Sequence, residues 1–105
     1  MDSQLSELGR FAGPATLILS SLAGGAKHGY GLTKDIEHFA EVKLGPGTLY
    51  GALGRLETSS LIEPLPSEGR RRPYRITAAG VQALSSHLAA QKQVVEVGLQ
   101  RLAIL

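Results

Sequence analysis

Four of the six residues from Arg70 to Arg75 are arginine, within the stretch EGRRRPYRIT. A guanidinium is planar, permanently charged and rich in donors, so it suits phosphate or carboxylate recognition rather than proton transfer. Three like charges at Arg70, Arg71 and Arg72 repel one another, and Glu68 is the acid nearest in sequence. An anionic partner would relieve that repulsion. The other chemistry-bearing residues are scattered. His28, His38 and His87 fall on separate segments, and the chain has no cysteine. Thiolate metal sites and disulfides are therefore excluded. His38 with Glu37 and Glu41 has the residue types of a metal site, but its setting is that of a solvated helix face. The glycine-rich run LAGGAKHGYG follows a helical pattern rather than a strand, unlike a phosphate-cradling nucleotide loop. No nucleophile–base pair is visible. The expectation is a non-enzyme without metal or cofactor.

The 105 residues suggest one domain with a modest core. The net charge is only +2, so the local arginine cluster says more than the total. No apolar run approaches the roughly 18 residues of a membrane span. The opening MDSQLSELGRF is acidic and polar before it is apolar, unlike a secretory signal. The expected location is the cytoplasm.

The elements that would position the arginines follow from periodicity. SQLSELGRF suits a short N-terminal helix with Leu5 and Leu8 on one side. Pro14 opens a second helix, with Ala15, Ile18, Leu19 and Leu22 at helical spacing and Gly24 and Gly25 as its stop. Ser20 and Ser21 are expected on its less buried face. Leu32, Ile36, Phe39 and Ala40 form the apolar stripe of the next helix. GPGTLYGALGRLE begins another, with Leu49, Leu53 and Leu56 on its buried side and Leu44 packing back from just before it. The short connection AEVKLGP joins these two helices as a helix-turn-helix. SSLIEPLP and RPYRIT then read as two short strands around the turn SEGRR, with Tyr74 and Ile76 alternating with Arg75. Pro64 and Pro66 confine the first arm to an edge. Thr77 is placed to cap a last helix running from about Ala78.

That final helix carries a seven-residue repeat in Val81, Leu88, Val95 and Leu102, with Leu84 at the intermediate position and Leu99 widening the stripe. Gln91 and Gly98 interrupt it. It has more apolar length than so small a domain covers, which points to a seam with a second copy. The fold class expected is mainly α with a small β-hairpin: a winged helix-turn-helix over residues 1–77 and a C-terminal dimerisation helix over 78–105. In such a fold the N-terminal half of the second helix of the pair enters the major groove of double-stranded DNA. Gly47, Thr48 and Tyr50 lie there, with Arg55 further along. Arg70, Arg71 and Arg72 form the wing tip, and Tyr30, Lys34 and Lys43 are further candidate phosphate contacts. A protein-interaction module is the other class the fold permits.

The blocks HGYGLTKDI, GPGTLYGALGRLETSSLIE and GRRRPYRITAAG, in that order and spacing, resemble the PadR family of bacterial transcriptional regulators. The resemblance covers essentially the whole chain, and GTLYGALGRLE is its most specific part. It implies a homodimer, joined through the C-terminal helix, that usually represses genes and releases an inverted-repeat operator on binding a small effector at the dimer interface. The chain resembles the compact branch without a larger C-terminal domain. Some compact members stack flat drugs on tryptophan; this chain has none, and only Phe11 and Phe39 as phenylalanines. At Gly51 and Gly54 the family more often has larger polar residues. That departure shifts the expected readout toward shape and backbone contacts.

Overall fold

The computed structural model describes residues 13–105, so the expected N-terminal helix lies outside the described residues. Helices α1 (Pro14–Ala23), α2 (Gly29–Ala40) and α3 (Pro46–Thr58) precede strands β1 (Ile62–Pro64) and β2 (Tyr74–Ile76). Helix α4 (Ala78–Ala103) ends the fold. Local chemistry sets most of these boundaries. Pro14 and Pro46 occupy first-turn positions where a missing N–H costs nothing. Glu41 closes α2 in the left-handed region at φ 56°, its N–H donating to the Glu37 carbonyl. Thr77 caps α4 as expected, its hydroxyl accepting from the Gly80 N–H at 3.0 Å.

The core is one cluster of Leu17, Ile18, Leu22, Leu32, Ile36 and Leu53 with their neighbours from α1, α2, α3 and β1. Helix α1 is its axis, packing against α2, α3, α4 and β2. That central position overturns the expectation for Ser21, which is 2% exposed rather than on a wet face. Its hydroxyl donates to Asp35 Oδ2 at 2.6 Å, and Lys27 Nζ donates to the Ser21 carbonyl at 2.5 Å. A buried hydroxyl is thus satisfied by bonding α1 to α2. Phe39 departs from its expected stripe in the other direction. It lies in the last turn of α2 and is half exposed, whereas Leu32 and Ile36 are fully buried.

The hairpin pairs Ile62 with Ile76, Glu63 with Arg75 and Pro64 with Tyr74 in antiparallel register. Pro64 faces Tyr74 at a position whose N–H would point away from β2, so its missing donor costs the ladder nothing. The Leu65 N–H still donates to the Pro73 carbonyl at 2.9 Å. The far edge of β2 is also occupied. Tyr74 N–H donates to the Lys27 carbonyl at 2.9 Å, and Lys27 N–H donates to the Tyr74 carbonyl at 3.2 Å. The wing is therefore bonded to the residue two positions before α2. At the tip, Glu68 and Arg71 exchange backbone hydrogen bonds around Gly69 and Arg70. Gly69 has φ 64°, the conformation that the first central position of this hairpin turn demands and that glycine adopts freely.

Helix α4 starts inside the domain and leaves it. Gly80 and Leu84 are its buried residues. Leu84, expected on a partner-facing stripe, is instead turned into the core of its own chain, because the first two turns of α4 lie against α1 and the hairpin. The remaining length projects outward and stretches the molecule to 55 × 30 × 20 Å. Gly80 makes the entry possible: a Cβ there would overlap the Leu61 carbonyl oxygen and meet Ile76 Cγ1 at 2.8 Å. Gly80→Ala is accordingly expected to destabilise the protein by about 1–3 kcal/mol, the usual cost of overpacking, read as a lower urea midpoint at unchanged m-value.

Candidate nucleic-acid interface

Tyr50 is the side chain on which the candidate residues converge. It projects from the first turns of α3 and is 58% exposed. Three surface hollows meet at it. The first, a cleft of about 220 Å³ between the start of α2 and the wing, is lined by His28, Tyr30, Tyr50, Arg70, Arg71 and Arg72, with Gly29 and Tyr74. The second lies between α2 and α3 and includes Tyr30, Thr33, Lys43 and Pro46. The third runs along α3 past Gly51, Gly54, Arg55 and Thr58. Among the described residues no carboxylate lines any of the three.

Gly29 explains how Tyr50 sits so close to α2. It is buried, and a Cβ there would stand 2.6 Å from the Tyr50 hydroxyl. The phenol therefore lies over bare backbone at the first turn of α2. Among the described residues its hydroxyl has no hydrogen-bond partner, and the same holds for the guanidinium groups of Arg70 and Arg72. Tyr30, also exposed, carries the Lys34 ammonium over its ring at 5.7 Å. That cation–π contact holds the two side chains together.

The arginines are not equivalent. Arg75 is bound to Glu63 across the hairpin, its Nε donating to Oε1 at 2.9 Å and its Nη2 to the same oxygen. Its charge is thereby neutralised within the chain. Arg71 reaches back to α2, with Nη1 3.3 Å from His28 Nε2. Among the described residues, Arg70 and Arg72 are left as exposed, unpaired cations. Glu68 makes no ion pair among the described residues; its contacts there are the backbone bonds of the turn.

The structure thus gathers Tyr30, Tyr50 and Arg70–72 in one cleft, with Lys34 against the Tyr30 ring but lining none of the hollows. Lys43 and Arg55 lie in the two adjoining hollows. Gly47 and Thr48 are exposed on the first turn of α3 but line none of them. Sequence reasoning missed His28 and Gly29, although HGY sits immediately before an apolar stripe, where a capping residue belongs. It could not have found the Arg71–His28 contact, whose partners are 43 residues apart.

The fold and the site define a winged helix-turn-helix protein with a basic cleft between wing and helix pair. The chain belongs to the PadR-like family of transcriptional regulators, whose family model matches residues 18–86. That is a family of regulators rather than of catalysts. The chain is 48% identical over 68 residues to an uncharacterized 37.1 kDa protein in transposon TN4556 of Streptomyces fradiae. That match takes in 65% of this chain and spans only 20% of the longer protein. It is 38% identical over 80 residues to the transcriptional regulator Rv3488 of Mycobacterium tuberculosis, covering 73% of this chain and 74% of that one. Among solved structures, a transcriptional regulator from Clostridium thermocellum superimposes with a TM-score of 0.78 at 28% identity. The match covers 90% of this chain and 96% of that one. Among the described residues no helix is long and apolar enough to cross a membrane.

Among the described residues the glycines of α3 have no packing role. A Cβ at Gly47 or Gly54 would meet nothing within 4 Å, and one at Gly51 would meet only Arg55 Nη1 at 3.5 Å. None has a positive φ. They lower helix propensity without helping the fold, so Gly51→Ala and Gly54→Ala should each stabilise the protein by about 1 kcal/mol. Raised thermal midpoints at unchanged helix content would show this.

Proposed function

We propose that this protein is a sequence-specific DNA-binding regulator, acting as a homodimer and as a repressor at an inverted-repeat operator. The observation that carries the reading is the surface around Tyr50, which no carboxylate lines among the described residues. It joins the first turns of α2 and α3 to a wing whose Arg70 and Arg72 have no partner among the described residues. Membership of a transcriptional-regulator family supports the same reading.

In this reading Gly47, Thr48 and Tyr50 lead α3 into the major groove, and Arg55 grips phosphate further along. Tyr30, Lys34 and Lys43 hold the backbone beside it. The wing arginines follow the flanking phosphates or minor groove. The bare surface at Gly51 and Gly54 brings α3 close to the groove wall, where few side chains read base edges. Sequence preference then draws more on DNA shape and deformability.

Residues 78–105 are the proposed dimerisation helix. Val81, Leu88, Val95, Leu99 and Leu102 remain exposed along α4, Leu99 at 63%. Each large apolar side chain covered on association is worth about 1.5–3 kcal/mol. Two copies joined there would set α3 in successive major grooves, about 34 Å apart or a multiple of it. A small effector seated at the seam would release DNA by changing that separation. A helix separation that stays constant with and without an effector would sink this last step.

Two measurements test the reading. Binding to DNA from upstream of the protein's own gene, compared with a scrambled fragment, should be selective and should weaken with salt. Arg70→Ala and Arg72→Ala should each lower affinity across sequences and reduce the salt slope by about one. No binding to either fragment at moderate salt would favour a protein-interaction module. Separately, Leu99→Asp should convert a dimer to a monomer in sedimentation velocity, with helical signal and thermal cooperativity retained. A monomeric unaltered protein would refute the proposed seam.

A further inference from the structure

His28 stands at the one place where, among the described residues, α2 and the wing tip meet through a side-chain hydrogen bond, and its two ring nitrogens face different partners. Nδ1 lies 3.4 Å from the Gly31 N–H, as an N-cap acceptor for α2. Nε2 lies 3.3 Å from Arg71 Nη1. Both neighbours are donors. A neutral imidazole has one protonated nitrogen and one lone-pair nitrogen, so it accepts only one of these bonds at a time. If Nδ1 caps α2, Nε2 carries the proton and turns N–H against a guanidinium. If Nε2 accepts from Arg71, Nδ1 is protonated and the cap is lost.

The surroundings favour the second arrangement. Arg71 lies between Arg70 and Arg72; among the described residues no carboxylate lines the cleft, and Nε2 is its side-chain acceptor. The cap, by contrast, concerns a helix already fixed by the buried Leu32 and Ile36 and by the Ser21–Asp35 bond. The Arg71 backbone is held on both sides by Glu68, so its guanidinium is fixed at root and tip. One of its five N–H donors is used by His28, and the side chain lines the cleft that Tyr30 and Tyr50 share.

We propose that His28, in the tautomer protonated at Nδ1, is the positioning residue of the wing. It holds Arg71 across the cleft as a preorganised ligand for one backbone phosphate, while Arg70 and Arg72 act as mobile counter-charges. This rests on the DNA-binding reading and deepens it. Fixing a guanidinium before binding removes part of the ordering cost on association.

Asparagine and glutamine separate the two functions of His28. The His28→Asn side chain would keep an oxygen near the place of Nδ1 and remain a good N-cap, but would carry nothing where Nε2 stood. The His28→Gln side chain would place an acceptor near Nε2 and lose the cap. Loss of one such hydrogen bond corresponds to about threefold to tenfold weaker DNA binding for His28→Asn. The salt slope should be unchanged, because Arg71 remains present. His28→Gln should bind as the unaltered protein does. Arg71→Gln should weaken binding and lower the slope by about one, and adding His28→Asn to it should change nothing further. Nitrogen-15 spectra of the free protein at about pH 8 should show a His28 ring protonated at Nδ1. Unaltered DNA affinity in His28→Asn, or a ring protonated at Nε2, would overturn the role given to His28 and leave the DNA-binding reading intact. No DNA binding by the unaltered protein would instead remove that reading, and the phosphate role of Arg71 with it.

Discussion

The backbone pair between Lys27 and Tyr74 is the constraint on which the cleft between wing and helix pair depends. Its two hydrogen bonds, at 2.9 and 3.2 Å, attach the outer edge of β2 to the segment that launches α2. A two-stranded hairpin alone is marginal in water. Here β2 is bonded on both edges, to β1 and to Lys27. The wing root therefore moves with the helix pair, not independently of it. Lys27 also closes the other side of the joint, because its ammonium donates to the carbonyls of Ser21 and Gly25 and lies 3.9 Å from Asp35. One residue thus connects α1, α2 and β2, and the cleft lined by His28, Tyr50 and Arg71 opens directly beside it.

Two glycines do for packing what Lys27 does for hydrogen bonding. Gly29 lets the Tyr50 ring rest on the backbone of α2, and Gly80 lets α4 enter against the Leu61 carbonyl. Larger side chains at these points would push apart the same elements that the Lys27–Tyr74 pair draws together. The glycines of α3 differ in kind. Nothing among the described residues needs the space at Gly47 and Gly54, so their cost to the helix is offset outside the chain or not at all. That contrast separates glycines that serve the fold from glycines available to a partner, and it is invisible to composition.

Local signals were legible in the sequence. Pro14, Pro46 and Thr77 each mark a helix start that the structure shows, and the spacing of Leu49, Leu53 and Leu56 gives the buried side of α3. These depend on residues a few positions apart. What stayed hidden depends on pairs brought together by folding: Ser21 with Asp35, Glu63 with Arg75, and Arg71 with His28. Ser21 looked solvated because a serine pair in a helix ordinarily is, and only the central position of α1 makes it a buried donor. Leu84 fitted a seven-residue repeat equally well as a core residue or a seam residue, since periodicity fixes a helix face and not what covers it. In sequence, Arg70, Arg71 and Arg72 form one group at the wing tip, and Arg75 belongs to the strand. The structure divides these four into one neutralised, one tethered and, among the described residues, two unpaired guanidinium groups.

The path from the exposed length of α4 to α3 and the wing is short. Strand β2 ends at Ile76, Thr77 caps α4, and the Thr77 hydroxyl also donates to the Ser60 carbonyl at the end of α3. The first turn of α4 is wedged against Leu61 and Ile76 through Gly80. A rotation of α4 about its axis is therefore resisted by both the C-terminal end of α3 and the root of the wing. The domain would follow as a unit rather than absorb the motion locally. In a dimer joined along the exposed length of α4, a small change in crossing angle would be carried about 39 Å along a 26-residue helix to two rigid heads. Close packing at Gly80 and double-edged bonding of β2 are what would allow a shift along α4 in such a dimer to become a change in the spacing of α3.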